Sequence, residues 1–405
     1  MIDKIKKEKC TGCDACYVAC PVDCITMIND GNGFSYPNVD YSVCIKCSVC
    51  ERTCPSLFPP SQIEKWETPK VFAAWSLDEE LRLTSTSGGI FSELAKSVIN
   101  SGGFVVGAKY NEKNLVEHEM VDSLDGLEQL KQSKYVQSVI GEIFVKVEEK
   151  LKEGHCVAFC GTPCQVAGLY NYLKVSYEKL ITFDFICRGV NSPKAYMKFL
   201  DYVEKKFNSE IDRVWFKNKS HGWNQSPLTT MILFKNGQQS VLSGDDNIYM
   251  RGYLEENLYM RPSCFECKHN AIPRCADITL ADFWGVASID PSFDDDKGTS
   301  LVLINSKKGD IMWENVSDKL FKRETTIEMA LPGNSILSQA AKKNPLSEEF
   351  LTMLDTLTFD QAVNKFLKSR KGLRFESIRL GKRVLNLVKL RKRFLKLQSV
   401  KHLLH

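Results

Sequence analysis

Short apolar runs alternate with amphipathic stretches through the middle of this chain, and that alternation sets the expected architecture. Val71-Phe72-Ala73-Ala74-Trp75 suits a buried strand. Ile90, Phe91, Leu94, Ala95, Val98 and Ile99 then share one helical face, with Ser87 as N-cap and Gly102-Gly103 as the stop before a strand at 104–108. A second helix carries Ile143, Phe144, Val147 and Leu151 and ends at Gly154, a C′ glycine. Cys156-Val157-Ala158-Phe159 reads as a buried strand, and Gly161-Thr162-Pro163 opens a helix containing Val166, Leu169, Tyr170 and Leu173. A strand at 180–186, the loop Cys187-Arg188-Gly189 and a helix from about Pro193 to Phe207 repeat the unit. Strands alternating with helices predict an α/β core with a mixed, mostly parallel sheet. The runs 228–234 and 238–242 predict a hairpin turning at Asn236-Gly237. Strands at 277–281 and 301–304 close the core, and beyond about 346 only helical, increasingly basic sequence remains.

At 405 residues the chain has room for two or three domains, and 43% hydrophobic with 26% charged residues is ordinary for a soluble protein. No apolar run approaches the ~18 residues of a membrane span. Met1 to Glu8 has no apolar signal-peptide core, so the expected setting is cytoplasmic. Charge is unevenly placed. Residues 368–405 carry thirteen Lys or Arg against Glu376, a net +12, which leaves −8 for the rest of a chain whose total is +4. Leu380, Val384, Leu387, Val388, Phe394, Leu395 and Leu397 approximate one helical face there, flanked by Lys382, Arg383, Arg391, Lys392 and Arg393. Such a helix suits an anionic membrane surface, placing the protein peripherally on the inner face, or an acidic protein partner. No nucleic-acid partner is expected, because the remainder is acidic and lacks a stacking pattern.

Sixteen cysteines change the picture most. Cys10, Cys13, Cys16 and Cys20 precede Pro21, and Cys44, Cys47, Cys50 and Cys54 precede Pro55, each member of the second set 34 positions beyond its counterpart. Both copies have the C-x2-C-x2-C-x3-C-P spacing of bacterial ferredoxins, whose fourth cysteine crosses to the other cluster. The expected ligand sets are therefore Cys10, Cys13, Cys16 and Cys54 for one [4Fe–4S] cluster, and Cys44, Cys47, Cys50 and Cys20 for the other. A zinc ribbon needs four ligands per site but neither the crossing nor the proline, and a disulfide scaffold conflicts with cluster chemistry. Cys24 lies outside the pattern and reads as a small buried hydrophobe. Ser56-Leu57-Phe58-Pro59-Pro60-Ser61 then reads as a hinge.

In the core, Cys264, Cys267 and Cys275 are three thiols short of one ligand. Cys187, at the end of an apolar strand, is the favoured fourth, with Cys160 and Cys164 as competitors; an iron–sulfur cluster is favoured over zinc. Ser87-Gly88-Gly89 and Gly161-Thr162-Pro163 stand at helix starts, where free N–H groups can hold a phosphate, although many such starts are simple caps. Neither a dinucleotide fingerprint nor a P-loop occurs. His221 is a candidate proton donor, but a loop histidine is more often merely exposed.

These residues resemble the beta subunits of coenzyme F-420 hydrogenase and dehydrogenase over roughly residues 70–330. The resemblance rests on Thr86-Ser87-Gly88-Gly89, Ser133 through Ser138, Phe159 through Leu169, Cys187-Arg188-Gly189-Val190, and Cys264-x2-Cys267 followed by Asp277 through Gly285. Asp282-Phe283 stands where many relatives have Gly-Asp-Phe/Trp. The resemblance implies an iron–sulfur flavoprotein oxidoreductase that moves electrons between clusters, FAD and a deazaflavin. It implies a third [4Fe–4S] cluster on Cys187, Cys264, Cys267 and Cys275, and an FAD site drawn from Ser87, Gly88, Gly89, Lys134, Tyr135, Ser138, Gly161, Thr162 and Gln165. Chains of this type also resemble proteins set among bacterial polysaccharide-assembly enzymes, so the acceptor is coenzyme F-420 or another small molecule. The alternative is a non-catalytic electron-transfer subunit docking on a separate enzyme. The expected domains are a two-cluster ferredoxin-like α+β unit at 1–60, a flavin and iron–sulfur core at 70–345, and a basic helical tail at 346–405. A redox protein or small electron carrier is the expected partner, and no catalytic acid–base residue is assigned.

Overall fold

The computed structural model of the chain describes residues 1–61, 63–226 and 228–367. At the N-terminus β1 (Ile25–Asn29) and β2 (Ser35–Val39) form an antiparallel pair. The Asp30 carboxylate accepts the N–H groups of Asn32 and Phe34, and so closes the turn between them. Short helices, Ala15–Val18 and Val49–Arg52, follow the second cysteine of each run. The duplication extends to the backbone: Gly12 and Lys46, then Asp14 and Ser48, all take left-handed conformations, 34 positions apart. Ile2, Ile25 and Val39 pack with the cysteines as a small core of their own.

The larger unit is built on eight strands: β3 (Lys70–Ser76), β4 (Phe104–Tyr110), β5 (Val116–Val121), β6 (Val157–Cys160), β7 (Leu180–Phe185), β11 (Ile278–Asp282), β12 (Ser300–Ile304) and β13 (Leu320–Thr325), in the order β13-β3-β12-β11-β7-β6-β4-β5. The numbers between them belong to a separate three-stranded antiparallel sheet of β8 (Ile211–Phe216), β9 (Thr230–Phe234) and β10 (Gln239–Leu242). β4, β6, β7 and β11 are parallel neighbours, while β12 runs antiparallel to both β11 and β3. The carboxyl ends of β3, β4, β6, β7 and β11 therefore face the same way, and open α/β sheets present functional loops at that edge.

Helices cover both faces. Leu94 and Val98 of the Ile90–Asn100 helix join Ile181, Ile278 and Val302 on one side. Phe144 and Val147, with Val166 and Leu169 of the Pro163–Leu173 helix, join Val157 and Leu180 on the other. Covered on two faces, the central strands have near-continuous burial. The predicted hairpin turns at Gly237, whose φ of +83° suits the Asn-Gly turn.

Two strands of the large sheet escape the sequence reading, and one boundary moves. β5 and β13 are charged edge strands, with Lys109 of β4 pairing to Glu119 at 3.0 Å, and such charges protect sheet edges while hiding the strand pattern. The sequence places residues 346–367 in the basic tail. Instead the Ser347–Met353 and Phe359–Val363 helices bury Phe350, Leu351, Leu354 and Phe359 against the Pro193–Phe207 helix and the small sheet. Each such side chain contributes roughly 1.5–3 kcal/mol of burial, enough to hold this stretch in the core. The strongly basic segment 368–405, and the helix expected there, lie outside the described residues. Among those described, no helix is long and apolar enough to cross a membrane.

Candidate functional site

Two concavities in the N-terminal unit are lined by thiols. One is walled by Cys10, Cys13, Cys16 and Cys54 with Ile2, Ile5, Met27 and Pro37. The other is walled by Cys20, Cys44, Cys47 and Cys50 with Val22, Ile25, Val39 and Ile45. Each run's fourth cysteine thus stands with the first three of the other run. Burial in these apolar walls pushes the Cys13 and Cys16 thiols well above their ordinary range. Thiolates there need a positively charged metal group to form, which suits cluster ligation. Among the described residues no group of three or more His, Cys, Asp or Glu side chains is placed to hold a single metal ion; these thiols surround cavities instead. Cys24 is buried as expected, but it lines the second cavity, its Sγ 3.4 Å from that of Cys20.

A third gathering of thiols lies at the carboxyl edge of the large sheet. Cys187 follows β7, Cys264 lies in the 3-10 turn Pro262–Glu266 with Cys267 just after it, and Cys164 sits in the first turn of the Pro163–Leu173 helix. Cys187 is within electrostatic reach of Cys264, Cys164 and Cys267. Burial raises Cys264 to about 12 and Cys164 to about 11. The Val190 N–H donates to Cys264 Sγ and the His269 N–H to Cys267 Sγ, both at 3.4 Å, while Thr162 Oγ1 lies 3.1 Å from Cys164 Sγ. Cys275 stands to one side. Its thiol donates to the Pro163 carbonyl at 3.4 Å, and its leading electrostatic neighbours are Asp184, Arg274 and Lys65. The fold therefore gathers Cys164 with Cys187, Cys264 and Cys267.

The first thiol cavity abuts this group. A Cβ on Gly168 would lie 3.0 Å from Cys13 Sγ, so only glycine lets the Pro163–Leu173 helix approach so closely. The Asp14 carboxylate accepts the N–H groups of Ile140 and Gly141 at 3.1 and 3.0 Å. Between the two sites lies Arg261, fully buried at 0% exposure, which nothing in the sequence singled out.

The residues expected around FAD sit on the same edge, most of them bonded to neighbouring residues of the sheet and its loops. Ser87 Oγ donates to the Thr299 carbonyl, the Gly88 N–H donates to Ser300 Oγ, and Gly89 caps the Ile90–Asn100 helix at φ +87°. The Lys134 ammonium donates to the carbonyls of Leu130, Lys131 and Gln132. The Tyr135 ring meets Phe216 and Tyr253 edge-on or tilted. Ser138 Oγ lies 2.7 Å from His118 Nδ1, whose other ring nitrogen meets the Cys160 carbonyl. The Gly161 N–H bonds to Phe183 O, and Thr162 and Gln165 form a capping box. These side chains build the frame of the edge. Two lysines stand at this edge with weakened charge: Lys134 and Lys219 are each lowered to about 7 by burial, then by Arg213 and Lys217 respectively, with Asp282 and Asp295 acting on Lys219 in the other direction. Lys217, buried against the stacked rings of Trp223 and Trp284, is ion-paired with Asp282. An anionic group such as a pyrophosphate placed beside Lys134 and Lys219 would favour their charged forms. His221 is exposed.

Residues 154–328 match the family described as the C terminus of the coenzyme F420 hydrogenase/dehydrogenase beta subunit. Residues 9–57 match the 4Fe-4S dicluster domain. Over the N-terminal unit the chain is 39% identical, across 61 residues, to an uncharacterized protein of the rpl9–rpl11 intergenic region of Porphyra purpurea. It is 36% identical across 52 residues to an uncharacterized ferredoxin, and 35% across 51 to pyruvate synthase subunit PorD, both of Methanocaldococcus jannaschii. These matches span 14%, 13% and 13% of this chain and 77%, 66% and 55% of the relatives. A chain of the F420-reducing [NiFe] hydrogenase complex from Methanosarcina barkeri superposes with a TM-score of 0.46 at 19% identity, covering 74% of this chain and 93% of that one. An iron–sulfur dicluster unit thus stands ahead of an eight-stranded core, and residues 154–328 of that core match the C-terminal family of the coenzyme F420 hydrogenase/dehydrogenase beta subunit.

Proposed function

We propose that this protein is an iron–sulfur flavoprotein oxidoreductase, passing electrons through its thiol sites to a small acceptor or donor at the carboxyl edge of the large sheet. The observation that carries the reading is the contact between Cys13 and the Pro163–Leu173 helix that bears Cys164, which joins the N-terminal sites to the core group. Cys10, Cys13, Cys16 and Cys54 hold one cluster, and Cys20, Cys44, Cys47 and Cys50 a second. Cys164, Cys187, Cys264 and Cys267 hold a third, with Cys164 in the place expected for Cys275. Clusters supply one-electron steps and bound FAD two-electron chemistry toward coenzyme F-420 or another small molecule, one used in polysaccharide assembly included.

The chain's own residues bind and orient. Lys134, Lys219 and the amides that open the Ile90–Asn100 helix receive the anionic part of the cofactor. The Asp282–Lys217 pair keeps a cation in place beside Trp284. A docking role beside a separate enzyme is favoured by one feature, the exposed Val43 and Ile45 next to the outer thiol cavity, where a redox protein partner would sit.

Anaerobic purification with iron counting and flavin extraction tests the reading. Roughly twelve irons with FAD are expected, and about eight without flavin would sink it. In the same assay Cys164→Ala loses about four irons while Cys275→Ala keeps them; the reverse would return the fourth ligand to Cys275.

A further inference from the structure

We propose that Arg261 is a positioning residue for electron transfer: its guanidinium bridges the inner ferredoxin-type site to the core thiol group and makes that site easier to reduce than its outer twin. The inference rests on the cluster assignment above. Arg261 immediately precedes the turn that carries Cys264. Its Nε donates to the Cys10 carbonyl at 2.7 Å, Nη1 to Gln137 Oε1 at 2.9 Å, and Nη2 to the Ser35 carbonyl at 2.8 Å. Nη2 also reaches Cys10 Sγ at 3.5 Å, and the guanidinium lies over the rings of Tyr36 and Phe34, 4.5 and 5.4 Å from their centroids. One side chain thereby touches both sequence-distant halves of the molecule.

The acceptors named are two carbonyls, an amide and a thiol, all neutral in the free protein. A buried guanidinium left without an opposite charge is costly. A carboxylate in its field, Asp14, already accepts two backbone N–H groups. A thiolate-ligated cluster is anionic and becomes more so on reduction, so it supplies the missing counter-charge and gains from it. An N–H pointing at a ligand sulfur adds in the same direction. The outer site is surrounded differently: Asp23 lies beside Cys20, and Glu51, paired with the Met1 ammonium at 3.0 Å, beside Cys50, whereas the inner site has Asp14 near Cys16 and the Arg261 guanidinium on Cys10. Arg261 also acts on Cys164 and Cys264, so its charge reaches the core group. One electron enters the inner site and one leaves it. No covalent bond changes, and the guanidinium keeps its proton throughout.

The test is a redox titration of the anaerobically purified full chain, followed by electron paramagnetic resonance, for wild type, Arg261→Gln and Arg261→Lys. In Arg261→Gln one ferredoxin-type signal shifts to lower potential by at least tenfold in its reduction equilibrium, about 59 mV for one electron, and the other stays put. Arg261→Lys shifts the same signal by less, because a lysine keeps the charge but cannot span three acceptors. Two unmoved signals, or two equal shifts, overturn the proposal. Should Arg261→Gln shed iron, Arg261→Lys decides: a wild-type potential there also overturns it. Wild-type protein with fewer than about eight irons overturns the assignment of the two ferredoxin-type clusters instead, and the iron count separates the two failures.

Discussion

The two thiol cavities come from one repeated sequence, yet they sit in different worlds. Their backbones agree even to paired left-handed residues, Gly12 with Lys46 and Asp14 with Ser48. The inner cavity is pressed onto the core, with Asp14 buried, Gly168 against Cys13, and Arg261 across its rim. The outer cavity faces out, with Val43 48% and Ile45 61% exposed beside it and Asp23 and Glu51 close to its thiols. Duplication supplies two equivalent sites, and the surroundings then make them chemically different. On the proposed function the exposed site would receive electrons from a partner, and the buried one beside Arg261 would pass them inward.

The largest break in that comparison comes from the crossed cysteines. Cys54 lies in the second run but lines the inner cavity, and Cys20 lies in the first run but lines the outer one. Cys54→Ala should therefore remove about four irons from the inner site and reduce electron delivery to the carboxyl edge to background. Cys20→Ala should remove a similar number from the outer site while a small-molecule reductant still feeds the core. Iron content with single-turnover reduction separates the two, and matching phenotypes would mean that the sites do not act in series.

Much of this difference is out of reach from the sequence. Spacing alone makes the repeat and its crossing readable, because Cys-x2-Cys-x2-Cys constrains where thiols can point. The buried β6, β7 and β12 are legible as continuous apolar runs. Charged β5 and β13 are not, since edge strands carry the very residues that blur alternation. Along the chain Cys275 reads as a ligand beside Cys264 and Cys267, and Cys164 only as a competitor of Cys187; folding brings Cys164 within electrostatic reach of Cys187 and Cys267, while the Cys275 thiol bonds to the Pro163 carbonyl. Arg261 is an ordinary arginine until folding brings it to Cys10, 251 residues away. Residues 346–367 read as tail because basic helical sequence follows them, although Phe350 and Phe359 belong to the core.

A smaller perturbation acts on the seat of the inner site. At Gly168 even a Cβ would lie 3.0 Å from Cys13 Sγ, tighter than van der Waals contact. Gly168→Val adds two more methyl groups, and overpacking of this kind costs about 1–3 kcal/mol. Replacing a mid-helix glycine returns at most about 1 kcal/mol through helix propensity, and less for valine. The net is destabilisation, seen as a lower thermal midpoint together with slower electron arrival at the core. An unchanged midpoint would show that the N-terminal unit is not seated on this helix.

The smallest effect should come from the outer face. Ile45→Gln places a neutral amide on a side chain 61% exposed beside the outer cavity, removes its apolar tip without adding charge, and disturbs little packing. Stability and iron content should stay at wild-type levels, and so should the potentials of both N-terminal sites. What changes is encounter: the rate of reduction by a protein donor falls by about tenfold or less, within the range over which association rates vary among mutants of one interface. Reduction by a small molecule is unaffected, because it needs no apolar patch. Stopped-flow traces with both donors give the ratio directly. Equal slowing with both would move the cause from docking to the cluster itself, and the outer cavity would lose its role as the entry point.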